Sequence, residues 1–245
     1  MATTTTSKAP SLDFRSSEEE PHYAKVCLYG EFGTAKTTTA VSYSPDPILV
    51  HTDGSWTSIK NHGYTAKLLQ YEGVSQLKAL PIEEGGPTVI LDVVNEMVEE
   101  YLDMLMREAN WGGKFRETLR TTNKEAQGME NPAPADYQVI RNKFRPVLRR
   151  LMTAPIDVFV LAHENSPIEG LSKDMTKRPA LPDKVYKVIA QDCHILGRMI
   201  RNSRGKFEID VEGNSLIAAK SRISTIKGKM SPEDFIAALQ EWKKN

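Results

Sequence analysis

Hydrophobic residues along this chain occur in short runs, and stretches with helical spacing separate many of these runs. The apolar runs are bounded by turn-forming residues and predict buried strands over 26–29, 47–53, 66–69, 88–91 and 158–162. Apolar residues at helical spacing predict helices over 74–80, 94–106 and 136–152. Pro146 is expected to kink the last of these helices or to split it in two. The alternation of strands and helices indicates an α/β fold, with a mostly parallel sheet and helices on both faces.

The last sixty residues follow a different pattern. From Val185 the pattern of apolar and polar residues becomes mixed, and residues 188–200 predict a strand that contains Cys193, Ile195 and Leu196. Residues 206–211 and 215–219 flank a Glu-Gly-Asn turn and predict a C-terminal β-hairpin. Ser231 precedes a proline, an acidic first turn and terminal lysines, which predicts a helix capped by its side chain.

Length and composition limit the possible domain organisation. The chain has 245 residues, of which 40% are hydrophobic, enough for one large core. Residues 1–20 are rich in Thr and Ser and then in Glu, which predicts a mobile tail before a single domain over 21–245. Two cysteines do not form a disulfide framework, and no apolar run has membrane length. We therefore expect a cytoplasmic protein without a membrane partner.

Charge is balanced over the chain but not along it. The formal net charge is zero. Residues 1–135 contain 12 Lys and Arg against 19 Asp and Glu, whereas residues 136–245 contain 20 against 13. Such asymmetry suggests an anionic partner for the second half of the chain, and a solvated polar face is the alternative.

The turn after the first predicted strand carries the clearest motif. Its pattern, G-x-x-x-x-A-K-T, differs at one position from the phosphate-binding loop G-x-x-x-x-G-K-[ST]. In such a loop, backbone N–H groups and the start of the next helix bind phosphate oxygens. Lys36 would reach the β- and γ-phosphates of ATP, and the Thr37 hydroxyl would bind Mg²⁺. The residues expected to contact the nucleotide are Gly30, Glu31, Phe32, Gly33, Thr34, Ala35, Lys36, Thr37 and Thr38.

Ala35 is the departure from this pattern. If the position requires a positive φ, alanine costs on the order of 1 kcal/mol there, and if φ is negative, alanine is harmless. The sequence leaves these alternatives open. A chance Gly- and Thr-rich turn is the other interpretation of the loop, but the strand before it and the Lys-Thr-Thr triplet argue against chance.

A second motif supports a nucleotide site. The apolar run 88–91 follows a Gly-Gly-Pro turn and ends at Asp92. A carboxylate at the end of a buried strand, downstream of a phosphate loop, is the pattern that holds Mg²⁺ beside the loop hydroxyl. We therefore expect Asp92 and Thr37 to share the metal.

The order of these motifs resembles the RecA-like P-loop ATPase core. The resemblance covers about residues 23–225, and its further elements are a strand that ends in Ala-His-Glu-Asn and a segment Ala-Ala-Lys-Ser-Arg near residue 220. More closely, the chain is similar to phage-encoded ATPases of the single-strand annealing (Sak) type, which are relatives of RecA and RadA. Only the phosphate loop is a specific motif, so the resemblance depends mainly on the order in which the other motifs follow one another.

The resemblance implies roles for two residues at strand ends. Asp53 lies where RecA relatives carry the carboxylate that activates water, although theirs is usually Glu, and a turn-forming Asp before Gly54 is the alternative. His163 lies at the tip of the strand that senses the γ-phosphate in this family. The alternative for His163 is a strand-end histidine whose hydrogen bonds are satisfied by its neighbours.

The resemblance also implies partners. The segments 110–134 and 164–184 fall where RecA relatives contact single-stranded DNA, and Trp111 and Phe115 could stack on bases, although a solvated loop or a subunit contact is equally consistent. Lys220 and Arg222 resemble the Lys-x-Arg pair with which RadA-like proteins reach a neighbour's γ-phosphate. An exposed basic strand end is the alternative for this pair. A role in trans would require a ring or filament with active sites between subunits.

The expected function is therefore an ATPase that binds and anneals single-stranded DNA during recombination, with ATP and Mg²⁺ as its ligands. A single-strand-binding protein is a further partner that the resemblance suggests. Two alternatives stay open. One is a RecA-core motor or loader of the helicase type, and the other is an ATP-switched DNA-binding protein with little hydrolysis.

Overall fold

The computed structural model describes residues 21–54, 56–107, 134–166 and 175–244, with the backbone alone over 101–107 and 134–141. Three sequence-based predictions lie outside these residues. They are the mobile tail over 1–20, the base-stacking roles of Trp111 and Phe115, and most of the DNA-contacting segment 110–134.

The described residues form strands and helices in alternation. The strands are β1 (Lys25–Gly30), β2 (Ile48–His51), β3 (Lys67–Gln70), β4 (Val89–Asp92), β5 (Val158–His163), β6 (Ile195–Arg201), β7 (Phe207–Asp210), β8 (Lys220–Ser221) and β9 (Lys229–Met230). The helices are α1 (Lys36–Ser42), α2 (Trp56–Asn61), α3 (Val74–Ala79), α4 (Val94–Arg107), α5 (Pro134–Thr153), α6 (Asp183–Asp192) and α7 (Pro232–Lys244). None of these helices is both long and apolar enough to cross a membrane.

The strands form one sheet in the order β3-β2-β4-β5-β1-β6-β7-β9, and β8 pairs with β6. The six strands from β3 to β6 are parallel, while β7, β8 and β9 are antiparallel to their partners. The predicted α/β fold with a mostly parallel sheet and antiparallel strands near its C-terminus is confirmed. In a parallel sheet the carboxyl ends of the strands meet at one edge, where ligands bind.

Helices cover both faces of the sheet. Alternate residues of β1 show this directly, because Cys27 and Tyr29 belong to one core cluster while Val26 and Leu28 belong to the other. The first cluster includes buried residues of α3, α4, α5 and α6, and the second includes residues of α1, α2 and α7. Strands buried on both faces lack the polar alternation of surface strands, which is why they appear as continuous apolar runs in the sequence.

The strand predicted over 188–200 is partly wrong. Its first residues belong to α6, and β6 begins only at Ile195. Val185, Val188 and Ile189 are buried and lie three and four positions apart, so they form one face of a helix. The helical face begins at Val185, before the predicted range, so residues 188–200 contained only the end of its period, joined to the apolar residues of β6.

The predicted pairing of residues 206–211 with residues 215–219 is wrong. Strand β7 pairs with β6 through a turn at 202–206 and with β9 on its other side. Segment 215–219 makes only isolated bridges, in which Ile217 pairs with Asn214 and with Lys177, and Leu216 is 58% exposed. Without a buried face, the segment gains too little hydrophobic stabilisation to pair as a strand.

Helix α5 starts at Pro134 and continues through Pro146, so of the two predicted outcomes, a kink or a split, the split is wrong. Pro146 is exposed, whereas Phe144, Val147 and Leu148 beside it are buried. Packing of the same apolar face on both sides of the proline outweighs the one backbone hydrogen bond that it removes. The cap predicted for α7 is confirmed, because the backbone N–H of Asp234 donates to Ser231 Oγ at 3.1 Å.

Candidate active site

The loop of residues 31–35 connects β1 to α1 and depends on glycine at two positions. A Cβ atom added to Gly30 would lie 2.4 Å from the carbonyl oxygen of Met199, so β6 leaves no space for a side chain. Gly33 has a φ of 70°, which side chains disfavour. Thr34 is buried and donates from its hydroxyl to the carbonyl of Glu31 at 2.8 Å, which closes the turn.

Ala35 adopts the left-handed conformation, with φ 62° and ψ 24°, just before α1. Of the alternatives that the sequence left open, the structure therefore favours the strained one. A left-handed alanine costs about 1–2 kcal/mol, because its Cβ approaches the following carbonyl oxygen. The position requires the backbone of glycine, and the loop keeps its shape with alanine because its other contacts hold it.

We expect Ala35→Gly to stabilise the protein. The relief of strain, about 1–2 kcal/mol, exceeds the entropy that glycine adds to the unfolded chain, about 0.4–1 kcal/mol, so the net gain is about 1 kcal/mol. Urea unfolding measures this gain in the free energy of unfolding. Ala40→Gly is the control, because Ala40 lies inside α1 and its replacement should destabilise by about 1 kcal/mol. Equal destabilisation by both variants would contradict the strain at Ala35.

Lys36 lies inside the curve of the loop. Its side chain is buried, and Nζ donates to the carbonyls of Gly30 at 3.1 Å and Glu31 at 2.8 Å. Burial lowers the pKa of Lys36, although the carboxylates of Asp92 and Glu164 act in the opposite direction. Backbone carbonyls therefore hold the ammonium group inside the loop, where the phosphate-binding motif predicts an anion.

The two residues predicted to share a metal are in direct contact. Thr37 Oγ1 donates to Asp92 Oδ2 at 2.8 Å. The sheet order explains the contact, because β4 ends beside β5, which ends beside β1 and its loop. A hydroxyl and a carboxylate are the oxygen ligands that Mg²⁺ takes in nucleotide sites, so the donor set fits this ion. When bound with a nucleotide, Mg²⁺ supplies positive charge to the β- and γ-phosphate oxygens.

A cavity of about 370 Å³ lies against these residues. It brings together Phe32 to Thr38 of the loop with three predicted residues from other elements, Asp53, Asp92 and His163. Gly30 and Glu31 contribute carbonyls to Lys36 rather than cavity walls. The cavity is also lined by residues that the sequence did not identify, namely Thr57, Ser58, His62, Val93 and Phe207. Thr57 and Ser58 lie in α2 and His62 directly after it, Val93 lies between β4 and α4, and Phe207 begins β7. The places of these elements beside the loop follow only from the sheet order.

Asp53 follows β2 and is exposed at the cavity. Its backbone carbonyl accepts a hydrogen bond from His51 Nδ1 at 2.7 Å, which holds the start of the turn. The carboxylate is therefore on a turn at the same edge of the sheet as Asp92. The role of Asp53 in activating water stays a prediction.

His163 ends β5, directly beside Gly30 in the sheet register. Its backbone N–H donates to Asn95 Oδ1 at 2.8 Å, and the Phe32 ring lies 3.9 Å from its imidazole, centroid to centroid. Burial lowers the pKa of His163 and the Lys36 ammonium lowers it further, while Glu96 opposes both. The imidazole is therefore mainly neutral at pH 7.

Glu96 is a residue of this site that the sequence analysis missed. Its Oε1 lies 3.4 Å from His163 Nε2, and its Oε2 accepts a hydrogen bond from Thr52 Oγ1 at 2.6 Å. The sequence did contain one indication, because Glu96 follows Asp92 by four residues and so lies one helical turn beyond the strand end. Only the fold shows that this turn faces His163.

A buried ion cluster lies next to His163 and was also missed. The side chain of Glu164 is 3% exposed and accepts hydrogen bonds from Arg198 Nε at 2.5 Å, Arg198 Nη2 at 3.0 Å and Lys177 Nζ at 2.9 Å. Its backbone N–H donates to the Gly30 carbonyl at 3.1 Å. Burial raises the pKa of Glu164, but the hydrogen bonds from Arg198 and Lys177 lower it by more. The cluster joins the ends of β1 and β5 to β6, directly after His163.

Lys220 and Arg222 lie outside the cavity. Lys220 pairs with Leu196 near the start of β6, whereas the cavity lies at the strand ends. Lys220 Nζ donates to the Ala190 carbonyl, and Arg222 Nη2 donates to the Gln191 carbonyl at 2.6 Å. Both side chains therefore bind the last carbonyls of α6, where cations are favourable. The structure does not bring them to the nucleotide site of the same chain, and their role in trans stays a prediction.

Comparison with known proteins adds one finding. A family model described as an AAA domain matches residues 22–223, which include β1, the loop, β4, β5 and the cavity residues between them. No curated protein matches the chain.

Proposed function

Because the chain belongs to the AAA domain family of P-loop ATPases, we propose that it hydrolyses ATP and uses ATP to control its binding to single-stranded DNA. The contact of Thr37 with Asp92, beside the buried Lys36, is the observation that carries the nucleotide part. It combines a metal-binding oxygen pair with a cation inside a phosphate-binding loop. The finer proposal is an annealing ATPase of phage recombination, related to RecA and RadA.

In this proposal the loop residues from Gly30 to Thr38 hold the phosphates. Lys36 leaves the carbonyls of Gly30 and Glu31 and binds the β- and γ-phosphates. Thr37 and Asp92 provide oxygen ligands for Mg²⁺. Asp53 and His163 line the same cavity, and either could receive the proton of the attacking water.

The link between ATP and DNA would pass through the residues after His163. Asn165 Oδ1 accepts a hydrogen bond from the Arg178 backbone N–H at 2.7 Å, and its Nδ2 donates to the Thr176 carbonyl at 3.0 Å. The Ala180 backbone N–H donates to the His163 carbonyl at 2.8 Å. A shift of His163 would thus be transmitted to residues 175–181, which belong to the predicted DNA-contacting segment.

Not every basic residue of that segment is available for DNA. Lys177 pairs with Glu164, and Arg178 pairs with Asp183 at 2.8 Å while its guanidinium lies over the Tyr186 ring. Lys184, at the start of α6, is exposed. DNA contacts would therefore depend on such exposed lysines and on segment 110–134, and they remain a proposal.

Assembly into a ring or filament completes the proposal. Lys220 and Arg222, which bind carbonyls of α6 in the single chain, would reach the nucleotide of a neighbouring subunit and stabilise charge there. A single-strand-binding protein is a further partner that the resemblance suggests.

Turnover of ATP with and without an oligothymidylate tests the coupling. We expect DNA to raise the rate of phosphate release by about fivefold or more, and Asn165→Ala to remove most of this increase while the basal rate stays near wild type. Asn202→Ala is the matched control, because Asn202 also bridges backbone groups of a turn, between β6 and β7. DNA that changes neither turnover nor assembly would refute the coupling.

Other results would favour the alternative functions. ATP-dependent DNA binding without turnover would indicate a switch. DNA unwinding or translocation would indicate a helicase-type motor. Turnover that is indifferent to DNA would direct the search to a protein partner.

A further inference from the structure

We propose that Glu96 and His163 form a proton-accepting pair, in which Glu96 orients the imidazole so that His163 Nδ1 takes the proton of the water that attacks ATP. The inference rests on the proposed ATP hydrolysis and assigns its base. It gives His163 a chemical role beyond the sensing of phosphate, and it names Glu96 as the residue that positions it.

The pair is held from several sides. Glu96 Oε1 lies 3.4 Å from His163 Nε2, and Glu96 Oε2 accepts a hydrogen bond from Thr52 Oγ1 at 2.6 Å. Thr52 is itself tied to the end of β4, because its backbone N–H donates to the Asp92 carbonyl at 3.0 Å. Asn95 holds the backbone of His163 at 2.8 Å. Carboxylate and imidazole therefore cannot turn independently of the strand ends that carry the Mg²⁺ ligand.

The contact with Glu96 decides which ring nitrogen carries hydrogen. An ionised carboxylate only accepts hydrogen bonds, so Nε2 of His163 must be the donor. In a neutral imidazole the other nitrogen, Nδ1, is then an acceptor. Nδ1 is buried and has no hydrogen-bond partner among the described residues. A buried acceptor without a partner is uncommon, and a hydrogen bond from the attacking water would satisfy it.

An acceptor at Nδ1 suits water better than phosphate. Phosphate oxygens need donors, and the donor nitrogen of His163 is already bound to Glu96. A water molecule can donate to Nδ1 and present its oxygen lone pair to the γ-phosphorus. The Phe32 ring, 79% exposed and 3.9 Å from the imidazole, belongs to the phosphate-binding loop. Rearrangement of this loop around phosphates would therefore expose the buried Nδ1 to the cavity that His163 lines.

Hydrolysis replaces one oxygen bond of the γ-phosphorus with another. The water oxygen forms a bond to the γ-phosphorus, and the bond from that phosphorus to the β–γ bridging oxygen breaks, with its electron pair left on ADP. The proton that the water loses passes to Nδ1 of His163. The Glu96 carboxylate then stabilises the imidazolium until the proton is released to phosphate or solvent.

The nitrogen resonances of the His163 ring, measured by NMR without nucleotide, test the orientation directly. The chain contains five histidines, and His163→Gln identifies the signal of His163 by its loss. We expect wild type to carry the proton on Nε2. Glu96→Gln, which keeps an acceptor oxygen, should preserve this tautomer, whereas Glu96→Ala should shift it toward a mixture. An unchanged His163 spectrum in Glu96→Ala would overturn the positioning role, whether or not the protein hydrolyses ATP.

Kinetics test the chemical role. We expect Glu96→Ala to lower kcat by about 10–100-fold with nucleotide Kd nearly unchanged, Glu96→Gln to lower it by less, and Asp53→Asn to retain most of kcat. Glu99→Ala is the control, since Glu99 is exposed on the same helix and should leave kcat at the wild-type value. Loss of kcat in Asp53→Asn with full activity in Glu96→Ala would overturn the pair as base. No turnover in wild type would refute the proposed hydrolysis instead.

Discussion

Replacement of Lys36 by alanine is expected to reduce ATP turnover by about a hundredfold or more, because it removes a positioned cation from the phosphates at the moment of transfer. Among the described residues that line the cavity, Lys36 alone is a lysine or arginine. Its ammonium is held by the carbonyls of Gly30 and Glu31 inside the loop. Phosphate release at saturating ATP, together with nucleotide binding by calorimetry, measures the effect.

Lys67→Ala is the matched control for this variant. Lys67 is an exposed lysine of the edge strand β3, 65% exposed and paired with Asp46 at the surface. An exposed pair of this kind contributes only about 0–1 kcal/mol, so turnover should stay at the wild-type rate. Wild-type turnover in Lys36→Ala would mean that the loop of residues 31–35 is not the phosphate site.

Replacement of Arg198 by alanine is expected to cost about 3 kcal/mol or more in the free energy of unfolding. Glu164 is 3% exposed, and the variant removes its bidentate partner, which leaves a buried carboxylate with Lys177 alone. Removal of one partner from a buried ion pair costs about 3–5 kcal/mol. The side chain of Arg198 is itself 16% exposed, so solvent screens little of its interaction with Glu164. Chemical denaturation followed by circular dichroism measures the change.

The same cluster predicts the sign of the pH dependence. The hydrogen bonds from Arg198 and Lys177 outweigh burial and lower the pKa of Glu164 in the folded protein. A carboxylate with a lowered folded pKa stabilises the protein above its unfolded pKa, about 4.3, and loses that contribution as pH falls through the folded value. The difference in stability between wild type and Arg198→Ala should therefore shrink on acidification below about pH 4.3.

Arg178→Ala is the control that distinguishes the buried cluster from a surface ion pair. Arg178 binds Asp183, which is 68% exposed, so this pair should contribute about 1 kcal/mol or less at any pH. A loss of stability in Arg198→Ala no larger than that in Arg178→Ala would show that Lys177 and water satisfy Glu164 without the guanidinium.

Local sequence determined the parts of the site that lie next to each other in the chain. The strand, loop and helix from Lys25 to Ser42 follow from one apolar run, two glycines and the Lys-Thr-Thr triplet. Asp92 was identified because a carboxylate directly after a buried run is visible without a structure. The predicted strands β1, β4 and β5 were right for the same reason, since each is buried on both faces and therefore continuously apolar.

Contacts between distant segments were beyond the reach of local patterns. Glu164 and Arg198 are separated by 34 residues, and Glu96 and His163 by 67. An isolated Glu or Arg has no periodicity that names its partner. The hairpin was misassigned for a related reason, because a polar turn between two runs shows that the chain reverses but not which strand it joins.

By itself, then, the sequence determined the α/β alternation and the motif of the strand, loop and helix around Lys36, and it identified Thr37 and Asp92 as the pair proposed to bind Mg²⁺. It left open whether φ at Ala35 is positive. Only the tertiary structure decided that φ at Ala35 is positive, that Lys220 and Arg222 bind the end of α6, and that Glu96 faces His163. The physical reason is the range of each interaction. Burial and turn chemistry act on neighbouring residues and leave a pattern in the chain, whereas charge pairs and strand order depend on which segments the sheet brings together.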